Sequence, residues 1–110
     1  MPAAQPAKLL RLHLSEDDVY EGKPLYEAIV NKCRELKIAG ATVFRCLEGY
    51  GETAEIHRRH VLAHDLPILI VVVDSADRIA RLLPAVEQMI DKGLLATSNV
   101  EVIRIRKSGD

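Results

Sequence analysis

The chain has 110 residues and a formal net charge of −1, with 15 Lys and Arg against 16 Asp and Glu. This is the length of one domain, taken as residues 1–110. The balanced charge lacks the basic face that nucleic-acid binding needs, and no run of about twenty apolar residues supplies a membrane span, so no membrane insertion is expected. The opening MPAAQPAKLL has no charged region followed by a long apolar core. It reads as a flexible lead-in over residues 1–7 rather than a secretory signal, and a cytoplasmic location is expected. Cys33 and Cys46 are isolated and are expected to be reduced thiols.

Lys8 to Leu14 alternates, with Leu10, Leu12 and Leu14 on one side and Arg11 and His13 on the other, as a strand requires. Ser15 to Gly22 is polar and reads as a loop, and its acids Glu16, Asp17 and Asp18 read as a solvated turn. Pro24 suits the first turn of a helix, and Leu25, Ala28, Ile29, Cys33 and Leu36 supply the helical stripe. Gly40 closes this unit. Ala41 to Leu47 is a second strand, rich in β-branched and apolar residues, ended by Glu48 and the Gly49-Tyr50-Gly51 turn.

Residues 52–65 are polar and lack a strand period, which predicts a mobile loop. Leu66 to Asp74 is a third strand, apolar on both faces, and such a strand is covered on both sides. Ser75 is an N-cap candidate. Ile79, Leu82, Leu83, Val86, Met89 and Ile90 form a second helical stripe. Pro84 predicts a kink or a fresh start within that helix, and Gly93 predicts its end. Asn99 to Arg106 reads as the last strand, with Arg104 and Arg106 on one face beside Val100 and Val102. Residues 107–110 form a tail.

Strand, helix, strand, strand, helix, strand is the split β-α-β order. The expected fold is therefore α+β: ferredoxin-like βαββαβ, a four-stranded antiparallel sheet with two helices on one face. The other face is left bare although the third strand is apolar there too. A bare apolar face of that size predicts a closed homo-oligomer with sheets turned inward.

The segments LHLSEDDVYEGKPLYEAIV, AGATVFRCLEGYGETAEIH, HDLPILIVVVDS and LLPAVEQMIDKGL together resemble domain-of-unknown-function family 190, a family of small PII-like proteins. The match runs from about Lys8 to Ile105. The resemblance implies a ferredoxin-like fold, a PII-like homotrimer and a signalling or regulatory role. It also implies an adenine nucleotide (AMP, ADP or ATP) bound in intersubunit clefts, and a loop after the second strand that reports to a partner, such as a membrane transporter or another protein target. Two departures stand out. The family commonly has Gly where this chain has Cys46. The Gly-Asp-Gly-Lys loop of classical PII proteins is missing from Lys92 to Asn99 (KGLLATSN).

The residues offer these candidates. Gly49, Tyr50 and Gly51 can expose consecutive backbone N–H groups to a phosphate, or form a plain turn. Thr42 can reach a base or ribose with its hydroxyl, or serve as an ordinary strand residue. Arg58 and Arg59, and Arg104 and Arg106, can meet phosphate with paired hydrogen bonds, or remain solvated. His57, His60 and His64 share one face if their segment is helical, and so form an alternative metal site. No nucleophile–base pair and no supported acid pair occurs, so an enzyme is not expected. The leading reading is a nucleotide-binding PII-like sensor. The alternatives are a trimeric metal-binding module of CutA-like architecture and a ligand-free structural adaptor.

Overall fold

The computed structural model describes residues 3–49 and 66–107. Two helices, α1 (Leu25–Glu35) and α2 (Ala76–Glu87), lie on one face of a sheet formed by β1 (Gln5–Ser15), β4 (Ala41–Arg45), β5 (Pro67–Asp74) and β6 (Leu94–Val102). The strand order is β4-β5-β1-β6, with neighbours antiparallel. A small hairpin of β2 (Val19–Tyr20) and β3 (Lys23–Pro24) precedes α1. This is the expected α+β, ferredoxin-like plan.

Alternation decides the core. Leu10, Leu12 and Leu14 of β1 and Ile68, Ile70 and Val72 of β5 point toward the helices and are buried. They meet Leu25, Ile29 and Cys33 of α1 and Ile79, Leu82 and Val86 of α2. The intervening Leu69, Val71 and Val73 lie on the open face and are only half-buried. Cys33 and Cys46 are both free thiols, and burial pushes the Cys33 thiol upward.

Several boundaries differ from expectation, each for a local reason. Residues 5–7 are strand rather than lead-in, because Gln5, Pro6 and Ala7 pair with Val102, Glu101 and Val100. The β5 ladder reaches only to Lys8, so Pro6 sits where β1 has one neighbour and its missing N–H costs little. The stretch 15–22 is not all loop. Glu21 (φ 51°) and Gly22 (φ 81°) turn β2 into β3, and positive φ at both positions is the signature of a type I′ hairpin. Pro24 stands just before α1 as its N-cap.

The stop of α1 is Lys37, not Gly40. Lys37 is left-handed at φ 62°. Its N–H donates to the Arg34 carbonyl at 3.1 Å, and the Ile38 N–H donates to the Cys33 carbonyl at 3.0 Å. Those two bonds make a Schellman cap.

α2 runs unbroken through Pro84 and ends at Glu87, well before Gly93. Its end tightens to a three-residue step, Met89 N–H to the Val86 carbonyl at 3.0 Å. Gly93 has a packing reason instead. A β-carbon there would lie 3.0 Å from the His13 carbonyl oxygen and 3.1 Å from Leu14 Cδ2.

The last strand is shifted by several residues. β6 starts at Leu94, opposite His13, and stops at Val102, opposite Gln5. It is an edge strand with one neighbour, so its polar middle at Thr97, Ser98 and Asn99 needs no apolar alternation. Beyond Val102 β1 offers no partner, and Arg104 and Arg106 therefore follow the strand instead of lying on it. β4 likewise ends at Arg45 rather than Leu47.

Candidate functional site

The two ends of the segment after β4 are drawn together by the sheet. The Cys46 N–H donates to the Pro67 carbonyl at 2.8 Å, one step past the β4–β5 ladder, and the Glu16 N–H donates to the Leu66 carbonyl at 2.8 Å. Gly49 folds back on the start of β5, where a β-carbon would meet Pro67 Cγ at 3.0 Å. The backbone at Gly49 can approach Pro67 this closely because it has no side chain.

An ion pair braces this corner from the β1 side. Arg45 Nε lies 3.0 Å from Glu16 Oε2, and the Glu16 carboxylate is mostly covered while Arg45 is half-exposed. Glu16 Oε1 is buried with no hydrogen-bond partner among the described residues. The neighbouring acid is also used. Asp18 Oδ2 accepts from the Ser15 N–H at 2.9 Å, and the Asp18 carbonyl accepts from the Leu25 N–H at 2.8 Å. The acidic cluster is thus a structured turn that links β1, α1 and the base of the segment after β4. The sequence signal was weak, because three consecutive acids usually mark a solvated turn.

A second polar centre lies at the other end of β5. Asp74 is buried, on the helix side of the sheet. Its Oδ2 accepts from the Ala39 N–H at 2.8 Å, and its Oδ1 accepts from the Ser75 N–H at 2.7 Å. Arg78 Nη1 stands 3.8 Å from Oδ2. Burial pushes this carboxyl upward, but the Ala39 and Ser75 amides, helped by Arg78 and Arg104, outweigh it and hold the group below its ordinary value. Ser75 caps α2 through its hydroxyl, which accepts from the Arg78 N–H at 3.3 Å. Beside Asp74 a groove of about 440 Å³ is lined by Gln5, Pro6, Ser75, Val102 and Arg104 among others.

The sequence candidates fall into separate groups. Gly49 is half-buried against Pro67. Thr42 is exposed on the edge strand β4, opposite Val71. Arg104 lines the groove at the Asp74 end, and Arg106 lies exposed just beyond. Tyr50, Gly51, Arg58 and Arg59 lie outside the described residues, as do His57, His60 and His64 and the loop of residues 52–65. Among the described residues no group of three His, Cys, Asp or Glu could hold a metal ion. Pro67 and Asp74 mark opposite ends of β5, roughly 23 Å apart for eight residues of strand. One chain therefore does not bring Gly49 and Arg104 together.

The sheet order and the helices on a single face define a member of the ferredoxin-like α+β class, and solved PII-like proteins share this fold. A solved structure of CPII from Thiomonas intermedia, bound to ADP and bicarbonate, has a TM-score of 0.72 over 94% of this chain and 95% of that one, at 18% identity. CutA1 of Ehrlichia chaffeensis, a divalent ion tolerance protein, has a TM-score of 0.59 over 92% of this chain and 85% of that one, at 19% identity.

The model of DUF190, described as Uncharacterized ACR, matches residues 7–102. A UPF0166 protein of Aquifex aeolicus is 40% identical over 98 residues, covering 87% of this chain and 92% of that protein. The chain belongs to the DUF190 family. Among the described residues no helix is long and apolar enough to cross a membrane.

Proposed function

We propose that this protein is a PII-like regulator that binds an adenine nucleotide in the clefts of a homotrimer. The observation that carries the reading is the closed loop base. Cys46 bonds Pro67, and the side-chain-free Gly49 rests on the same proline. The proposal gives the next residues, Tyr50 and Gly51, the role of backbone donors to the ligand. The likeness to CPII, whose structure holds ADP and bicarbonate, gives the reading a ligand class.

In this reading Gly49, Tyr50, Gly51, Arg58 and Arg59 meet the phosphates, and Thr42 meets the base or ribose. Because Arg104 and Arg106 lie at the far end of the chain's own sheet, they act on a neighbouring copy's cleft. The half-buried apolar residues Leu69, Val71 and Val73, with the exposed Phe44 and Leu94, give the copies a common face to bury. The role is regulatory rather than catalytic. The loop of residues 52–65 carries the ligand state to a cytoplasmic partner, either a membrane transporter or another protein.

Calorimetric titration with AMP, ADP, ATP and cyclic AMP tests the proposal. Binding of one of them to the wild type, weakened in Gly51→Val and in Arg104→Ala, is the expected result. No binding at millimolar nucleotide overturns it. Stabilisation by divalent transition metals that His57→Ala abolishes would put the CutA-like metal reading in its place.

A further inference from the structure

β1 is an inner strand, with β5 on one side and β6 on the other. Its even-numbered leucines are buried beneath the helices, while Arg11 and His13 are exposed on the open face. Arg11 stands opposite Val71 and Ala96, and His13 stands opposite Leu69 and Leu94. Directly opposed residues share a face, so the two basic side chains rise from the middle of an apolar surface.

Among the described residues of the four strands no acid balances them. The acidic residues of the four strands are Asp74 and Glu101, which stand opposite Lys8 and Pro6 and so belong to the helix face. Among the described residues neither the Arg11 nor the His13 side chain has an ion pair or hydrogen bond.

Water solvates both groups in a single chain. It cannot do so once the open faces close on one another, and a buried unpaired guanidinium is costly. Symmetry sharpens the problem, because each further copy brings the same cation toward the same axis.

We infer that the closed assembly holds a small inorganic oxyanion between its open faces, gripped by Arg11 of more than one copy. His13 supplies a second donor, two residues and about 7 Å along the strand. The guanidinium fork matches an oxyanion with paired hydrogen bonds, and the anion relieves the repulsion between copies. Facing sheets pack about 10 Å apart, which admits a free ion and not a base and ribose. The inference rests on the inward-facing assembly proposed above and is independent of the nucleotide cleft.

The test uses the full chain, with inorganic phosphate as the probe and chloride at matched ionic strength as the control. Light scattering is expected to show a multimer. Phosphate is expected to raise the unfolding temperature beyond chloride and to bind in calorimetry. Arg11→Gln is expected to weaken phosphate binding about tenfold or more and to leave AMP or ADP binding unchanged. If Arg11→Gln does not fold, His13→Gln replaces it, with a several-fold loss expected.

A monomeric wild type overturns the inference together with the inward-facing assembly. A multimer indifferent to phosphate, or an Arg11→Gln variant that binds phosphate as the wild type does, overturns the anion site alone. If nucleotide and phosphate compete and both are lost in Arg11→Gln, the oxyanion belongs to the nucleotide and the separate site is refuted. Absence of nucleotide binding with phosphate binding intact supports this site and removes only the nucleotide reading.

Discussion

The carboxylate of Asp74 accepts a 2.8 Å hydrogen bond from the backbone N–H of Ala39, 35 residues earlier in the chain. The same group caps its own end of β5 by accepting from Ser75. One buried side chain therefore ties the α1–β4 connection to the start of α2.

Asp74→Ala is expected to destabilise the fold by about 3 kcal/mol, since two amide bonds to a buried carboxylate are lost. The pH dependence follows from the lowered carboxyl. A group whose folded value is depressed adds stability above its unfolded value, about 3.9 for aspartate, and loses it as pH falls through the lower folded value. Urea unfolding at pH 7 and at pH 3 checks both points. Asp74→Asn should show a shallower acid loss than the wild type, and an equally steep loss would assign it to other carboxylates.

Two backbone positions can be improved. Lys37 and Glu21 hold positive φ without being glycine, a conformation costing side-chain-bearing residues about 1 kcal/mol. Lys37→Gly, at the Schellman position, and Glu21→Asn, in the type I′ turn, are each expected to stabilise by about 0.5–1 kcal/mol. Denaturant midpoints decide this, and a loss of stability in either variant would refute the left-handed geometry at that site.

The faces of β5 predict opposite outcomes for adjacent residues. Val72 is fully buried beneath the helices, so Val72→Asp is expected to unfold the chain by burying an unpaired charge. Val73 is half-buried on the open face opposite Leu9. Val73→Asp should keep its helical circular dichroism and lose the multimer seen by light scattering. A folded, fully assembled Val73→Asp would show that this face is not what joins the copies.

Gly49→Val tests the loop base. The new side chain would press on the Pro67 ring, where even a β-carbon lies 3.0 Å away. Overpacking of this kind costs about 1–3 kcal/mol. The expected phenotype is a folded protein of reduced stability whose nucleotide affinity falls about tenfold or more, the worth of a charged hydrogen bond. Unchanged affinity in calorimetry would separate the Gly49–Pro67 contact from ligand binding.

The sequence by itself determined the order of the four sheet strands and two helices, the core faces of β1 and of the helices, and the family. Leu10, Leu12 and Leu14 and the two helical stripes are local periodicities, and local backbone geometry alone converts them into faces; β5 is apolar on both faces, and only the packing decided that Ile68, Ile70 and Val72 meet the helices. Strand limits were not legible, because they depend on partners. Gln5 became strand because Val102 lies opposite, and Arg104 left the strand because β1 has nothing beyond Gln5 to pair with it.

The polar centres were hidden for the same reason. Asp74 read as the end of a strand, and Glu16 as one of three solvated acids. Only the tertiary fold brings Ala39 to Asp74 and Arg45 to Glu16, since each pair joins segments distant in sequence that no local pattern links. The separation of Gly49 from Arg104 was equally a matter of the fold. Pro67 and Asp74 stand at opposite ends of one strand, and an extended backbone keeps its ends apart.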